Sequence, residues 1–188
     1  QKDDSVLDLG CGNGNFLREL HGCGHNAPLL GVDFSLPLLR DAESTPGVEF
    51  REVGLAKLST FGDSLLAGGE PWSIITMFAT LHHIPSNEMR VDILKTVRKL
   101  LKPNGKFILS NWQFLNSEKL KARIQPWGRV GLSDDVVDAG DHLLDWRSGG
   151  AEGLRYAHHF SEEELLGLAE QAEMSVSESF LSDGENKR

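Results

Sequence analysis

The run Asp8-Leu9-Gly10-Cys11-Gly12-Asn13-Gly14 constrains the fold more than any other part of the chain: three glycines at alternate positions follow a short apolar segment. Val6, Leu7 and Leu9 make residues 5–9 a buried strand, and residues 15–21 begin a helix that Gly22 and Gly24 stop. Strand, glycine turn and helix in that order form the first unit of a parallel α/β sheet. Glycines there let the backbone take positive φ and approach a ligand closely. The helix that follows aims free N–H groups at whatever occupies the loop. Asp33 ends a second apolar strand over 29–33, where an acid can accept hydrogen bonds from ribose hydroxyls.

The alternation continues. Ser35 can cap a helix with Pro37 in its first turn, 48–53 reads as a third strand, and 63–67 as a short helix. The uninterrupted apolar run 73–80 fits a central strand, and Ser86 can cap a long helix through Leu101 whose apolar positions recur at helical spacing. Pro103-Asn104-Gly105 is a turn into a fifth strand, 106–111. Residues 114–154 look irregular, an insertion on the substrate side. Ser161 and Glu164 form a capping box for a helix to about Ala172, and 175–181 reads as a sixth strand. The expectation is one domain over 1–188, an α/β, doubly wound, mostly parallel sheet with helices on both faces. Ser182-Asp183-Gly184 is a turn that should lead into a further strand, so the last strand is expected to be missing and the chain to be an interior piece of a longer protein.

No apolar run reaches the roughly 18 residues that span a bilayer, and the polar opening is unlike a signal peptide. Cys11 and Cys23 are expected to be free thiols, and the location cytoplasmic. A net charge of −9 argues against a nucleic-acid binder, yet ten basic residues between Arg90 and Arg129 are opposed only by Asp92 and Glu118. That stretch is either a face for a polyanion or an ordinary solvated helix surface.

A dinucleotide-binding turn places its third glycine three residues after the second, where this chain has Asn15. The glycine run instead resembles motif I of class I S-adenosylmethionine-dependent methyltransferases. Gly31-Val32-Asp33-Phe34-Ser35 resembles their second motif, and Leu100-Leu101-Lys102-Pro103-Asn104-Gly105-Lys106 the turn into their fifth strand. The resemblance runs from about Val6 to Ser110. It implies S-adenosylmethionine as cofactor, with Asp8, Gly10, Cys11, Gly12, Asn13 and Gly14 around its methionine part. It implies Asp33 on the ribose, Phe34 beside the adenine, and Leu55 and Phe78 on the cofactor's flanks. Many members carry an aspartate after the third strand; here Gly54-Leu55-Ala56 leaves the adenine to backbone groups.

Met77-Phe78-Ala79-Thr80-Leu81-His82-His83 lacks the Asp/Asn-Pro-Pro-aromatic of enzymes that methylate exocyclic amines. His82-His83 supplies a base or a substrate contact, or else packs one ring and exposes the other. Adjacent histidines diverge and lack a third ligand, so no metal is expected. Further on, Asp141 to Arg147 and then Leu154-Arg155-Tyr156-Ala157-His158-His159-Phe160-Ser161 resemble the family that methyl-esterifies carboxymethyluridine at the tRNA wobble position. Asp145 and Ala157 depart from its proline and second tyrosine. The resemblance implies tRNA as substrate and, in eukaryotes, a small zinc-binding activator subunit. Arg155, then Arg90, are the candidates to grip a carboxylate, with Tyr156 and His158 as contacts to a splayed nucleobase and His83 as a general base or substrate contact. Alternatively Arg155 pairs with the acids at 162–164 and the aromatics fill core. A small-molecule O-methyltransferase and a non-catalytic binding subunit of the same fold are the other functional readings.

Overall fold

Val6–Leu9 is buried at every position, which only a strand covered on both faces allows. In the computed structural model, which describes residues 3–42, 45–65, 69–148 and 151–182, this strand is β1 at the centre of a five-stranded parallel sheet. The chain runs β1, α1 (Asn15–Gly22), β2 (Leu29–Asp33), α2 (Leu36–Ala42), β3 (Glu49–Glu52) and α3 (Leu58–Phe61). Then come β4 (Trp72–Phe78), α4 (Asn87–Leu100) and β5 (Leu101–Ser110). The strand order is β3-β2-β1-β4-β5, so the reversal of winding falls between β1 and β4. In such sheets the crevice at the strands' C-terminal ends, at that reversal, takes the ligand.

One core lies under α4 and α6 (Glu162–Gln171) and includes Leu7, Leu9, Ile75, Met77, Leu94, Val97 and Leu168. A second lies under α1 and holds Val6, Leu17 and Leu29. The Ser86 hydroxyl accepts from the Met89 N–H and the Ser161 hydroxyl from the Glu164 N–H, so both predicted caps form. The reciprocal half of the second box does not: the Glu164 carboxylate is turned toward His158 and Arg90.

Four expectations are corrected. The fifth strand begins at Leu101 rather than 106: Trp72 pairs with Leu101 and Ile74 with Lys106, and Pro103-Asn104-Gly105 bulges out between, with Asn104 at φ 64. Residues 175–181 form no strand. Val176, Phe180 and Leu181 are residues that strands favour, but among the described residues no sheet edge takes the backbone groups of this segment, and Phe180 and Leu181 are exposed. The insertion is more regular than its sequence suggests. After α5 (Glu118–Lys121) it builds a second, antiparallel sheet of β6 (Ile124–Gln125), β7 (Asp141–Ser148) and β8 (Ala151–His158) in the order β6-β7-β8. The short helix read over 63–67 lies earlier, as α3 and a 3-10 turn at Gly62–Leu65; residues 66–67 lie outside the described residues, as do 183–184 of the terminal turn.

Candidate active site

The glycine loop leaves β1 at Asp8 and is pinned to β2. The Gly10 and Cys11 N–H groups both donate to the Val32 carbonyl, at 2.8 and 3.0 Å. Gly10, Gly12 and Gly14 all have φ between 55 and 79°. A Cβ at Gly10 would meet Thr80 Oγ1 at 2.3 Å, and one at Gly14 the Phe50 ring at 2.6 Å, so the loop is closed to side chains from both flanks. Cys11 is buried behind it, where burial and the nearby Asp8 push its thiol up to about 12; Cys23 is exposed, and both thiols are free.

Asp33 does what an orienting acid needs. Its Oδ2 accepts from the Gly12 N–H and its Oδ1 from the Ser35 N–H, both at 2.9 Å, which holds the carboxylate across the mouth of the loop. Asp8 is only 3% exposed and accepts from the Thr76 hydroxyl at 2.7 Å. Burial pushes its carboxyl up to about 6 despite that bond, with the Asp33 charge adding to the rise. Phe34 projects outward, 77% exposed, as an adenine-flanking ring would. Leu55 packs its side chain into the core and can offer a ligand only backbone. Phe78 sits edge-on to Phe16, ring centroids 5.0 Å apart. Asn13 gives its carbonyl to Arg18 at 2.7 Å. Ala79, the residue after β4, has φ 48, an unusual value for a residue with a side chain, and its N–H donates to Ser110. It turns the chain from the sheet into Leu81–His83.

The two histidines do not diverge; their ring centroids lie 4.2 Å apart. His82 is fully buried, its Nδ1 facing the Trp112 N–H at 3.5 Å, and burial drops it to about 3. His83 Nδ1 lies 2.9 Å from the Tyr156 carbonyl, which can only accept, so the proton sits on Nδ1. Burial and then the Arg155 charge outweigh that bond and lower its pKa. Both rings are therefore neutral at pH 7. Among the described residues no three His, Cys, Asp or Glu side chains are grouped to hold a metal.

Arg90, Tyr156 and His158 are brought together, but into a buried cluster of their own. Arg90 is 1% exposed; its Nη2 donates to the Tyr156 hydroxyl at 2.6 Å and lies 3.6 Å from Asp141, and its Nη1 lies 3.7 Å from Glu164. The Tyr156 hydroxyl donates to Asp141 Oδ1 at 2.5 Å. His158 spans Asp141 at 2.6 Å and Glu164 at 2.8 Å, one carboxylate on each ring nitrogen. Burial and the Asp141 bond push the Tyr156 hydroxyl well up; burial works against Asp141, and the bonds from Tyr156 and His158 overcome it to hold that carboxylate low. Arg90 as a carboxylate grip is thus corrected: its guanidinium is committed to two acids and a phenol. Sequence reasoning missed Asp141, and it read Glu164 as a cap. An acid at the first position of a strand carries no mark that it will pair with an arginine from a distant helix.

Arg155 behaves differently. Its guanidinium carbon sits 4.9 Å over the Trp112 ring, and its Nε is buried without a hydrogen-bond partner. Glu164 is engaged elsewhere, so the acids at 162–164 do not neutralise it through that residue. Trp112, just beyond β5, was also missed. It packs against His82 and His83 at 4.9 and 5.7 Å and so joins the end of the main sheet to β8.

A family model described as a methyltransferase domain matches residues 1–178. A protein of Encephalitozoon cuniculi named as a methyltransferase is 27% identical over 175 residues, 93% of this chain and 72% of that protein. The tRNA (carboxymethyluridine(34)-5-O)-methyltransferase of Arabidopsis thaliana is 28% identical over 110 residues, 57% of this chain but 24% of that protein. The crystal structure of a SAM-dependent methyltransferase from Methanosarcina mazei superposes with a TM-score of 0.68 at 25% identity, covering 92% of this chain and 80% of that one.

Proposed function

The chain belongs to the methyltransferase-domain family and is an S-adenosylmethionine-dependent methyltransferase; from that premise we propose that its acceptor is the carboxylate of a carboxymethyl group on a tRNA wobble uridine. The observation that carries this reading is Arg155. It is a half-buried guanidinium stacked on Trp112, with no acid partner among the described residues, in a chain similar to the Arabidopsis enzyme. A buried cation without a counter-ion is unfavourable unless a ligand supplies one.

The chemistry asks for little else. A carboxylate with a pKa near 4 is ionised at neutral pH and attacks the methyl sulfonium without a general base. The carboxylate oxygen forms the new bond to the methyl carbon as the carbon–sulfur bond breaks, leaving a neutral thioether and a methyl ester. The protein's task is to hold the oxygen in line with the methyl group. Two neutral histidines at the end of β4 suit such a site. Asp33 and the glycine loop hold the cofactor, while Tyr156 and His158 support the Arg155 strand from behind. A zinc-binding activator subunit is part of the same proposal.

The test incubates the protein, with and without such a subunit, with labelled cofactor and tRNA bearing carboxymethyluridine. Base-labile label in tRNA supports the reading; label found only in small molecules sinks it. Arg155→Ala should slow turnover and leave cofactor affinity nearly unchanged, and equal loss of both would make Arg155 structural. A small-molecule O-methyltransferase is the second reading. It is favoured by the net charge of −9 and by His83, whose protonated Nδ1 leaves Nε2 as an acceptor for a hydroxyl proton. A calorimetric titration without cofactor binding would turn the chain into a binding subunit.

A further inference from the structure

Alternation along β7 and β8 sorts the hairpin's side chains onto two faces. Asp141, Tyr156 and His158 share one, with Arg90 and Glu164 against them. The other carries His142, Leu144 and Trp146 from β7 and Gly153, Arg155 and Ala157 from β8. Much of this second face is covered: Phe114 packs on Leu144 and Ala157, and its ring meets His142 edge-on. Trp146 is the first residue of β7 beyond that cover. It is 41% exposed, whereas Trp72 and Trp127 are buried and Trp112 is half-buried under Arg155. It stands directly opposite Gly153, which has no side chain to shield it; a Cβ there would already touch Trp146 Cε3 at 3.6 Å. Among the described residues no other ring or guanidinium stacks on this indole. A large flat apolar surface is thus held on a paired strand and left in water.

Its neighbour on the same face says what fits there. Arg155 follows Gly153 by two residues, which makes it the diagonal cross-strand neighbour of Trp146, about 7–8 Å away. The Arg155 guanidinium carbon sits 4.9 Å over the Trp112 ring, and its Nε is buried without a hydrogen-bond partner. A bare aromatic ring and a cation short of a partner, one diagonal step apart, suit a planar ring that carries an anionic arm. A carboxylate without a ring would reach Arg155 and leave the indole in water. Tyr156 and His158 cannot take the ring instead, because their polar atoms are engaged in the buried cluster on the opposite face.

We propose that Trp146 is the stacking platform for the acceptor's base and lays the ring so that its carboxymethyl arm reaches Arg155. This rests on the acceptor reading above and adds to it how the base is held: by its face, on an exposed indole, with the arm rather than the ring edge read by charge. The experiment measures methylation of a short oligoribonucleotide carrying carboxymethyluridine by wild type, Trp146→Ala and Trp146→Phe. Trp146→Ala should raise KM roughly tenfold or more, as loss of a base–aromatic stack does, with kcat and cofactor affinity little changed. Trp146→Phe, which keeps a ring, should recover most of the KM. An unchanged KM in Trp146→Ala overturns the proposal. So does a joint loss of kcat, KM and cofactor affinity that Trp146→Phe fails to restore, the pattern a merely structural tryptophan gives. If wild type methylates no such oligonucleotide, the acceptor reading fails, and calorimetry with carboxymethyluridine nucleoside judges the platform separately. Nucleoside binding that Trp146→Ala abolishes and Trp146→Phe preserves keeps the platform; no binding, or binding that ignores Trp146, removes it. Acetate, which has the carboxylate without the ring, should bind wild type and Trp146→Ala alike, and a difference between them would overturn the assignment of the ring to Trp146.

Discussion

Asp8→Asn should make this protein more stable and a poorer enzyme. The carboxyl group is buried between β1 and β4, and its pKa is about 6 in the fold against an ordinary 3.8. A folded-state value raised above the unfolded one means the fold binds the proton more tightly. The stabilisation from protonation is fully present below about 3.8 and is lost as pH rises through about 6. At pH 7.5 the ionised group therefore destabilises the fold by about 3 kcal/mol relative to a neutral isostere, and at pH 5 by about half that. Asparagine keeps an oxygen for the Thr76 hydroxyl, so the substitution removes the charge and little else. Urea denaturation at the two pH values should show the variant gaining most at pH 7.5 and less at pH 5. The cofactor should respond in the opposite sense. Asp8 is expected to face its cationic methionine end, and losing a hydrogen bond to a charged partner weakens binding by roughly 10- to 100-fold. For the same reason wild-type affinity should fall as pH drops through about 6. A variant no more stable at pH 7.5 would refute the burial argument. A stabilised variant with unchanged cofactor affinity would refute the role given to Asp8.

Two further perturbations follow from distances. Gly10→Ala forces a Cβ to within 2.3 Å of Thr80 Oγ1 at a backbone φ of 79, so cofactor binding by calorimetry should be lost or greatly weakened; retained binding would mean the loop is far more plastic than its bonds to Val32 imply. Tyr156→Phe leaves Arg90 and Asp141 each short of a partner in a buried setting, which should lower stability by roughly 1–3 kcal/mol in urea denaturation; no loss would show that the two charges reach each other unaided.

Those elements whose burial is all-or-none were legible in the sequence. β1, β2 and β4 read as apolar runs because both of their faces are covered, and α4 and α6 announce themselves through Ser86 and Ser161. The turn at the glycine loop was legible because positive φ leaves few residue types able to serve, and Asp33 proves to be bonded to it through the Gly12 N–H. The β7–β8 hairpin was not found, although Gly149-Gly150 is a turn signal in its sequence. Its strands mix charged and apolar residues without a regular alternation, and Asp141, Tyr156 and His158 on one face are buried only because Arg90 and Glu164 come to meet them. Burial that depends on a partner far along the chain leaves no local periodicity. The segment 175–181 failed for another reason: it carries the strand-favouring Val176 and Phe180 but, among the described residues, has no neighbouring strand to pair with. Arg90 shows the limit of reading a site by residue type. An arginine was expected to grip a ligand, and the fold had already used it.

That use of Arg90 makes the β7–β8 hairpin portable on definite terms. The hairpin contributes Asp141, Tyr156 and His158, and the body of the protein answers with Arg90 and Glu164. A graft of residues 114–160 onto another scaffold of this architecture would have to carry those two docking residues with it. Without them it would bring into the new host a buried Asp141 carboxylate lacking its arginine and a His158 ring with Nε2 unpartnered. Exchange of this hairpin between such proteins is thus a matter of moving a five-residue lock together with the loop it fastens.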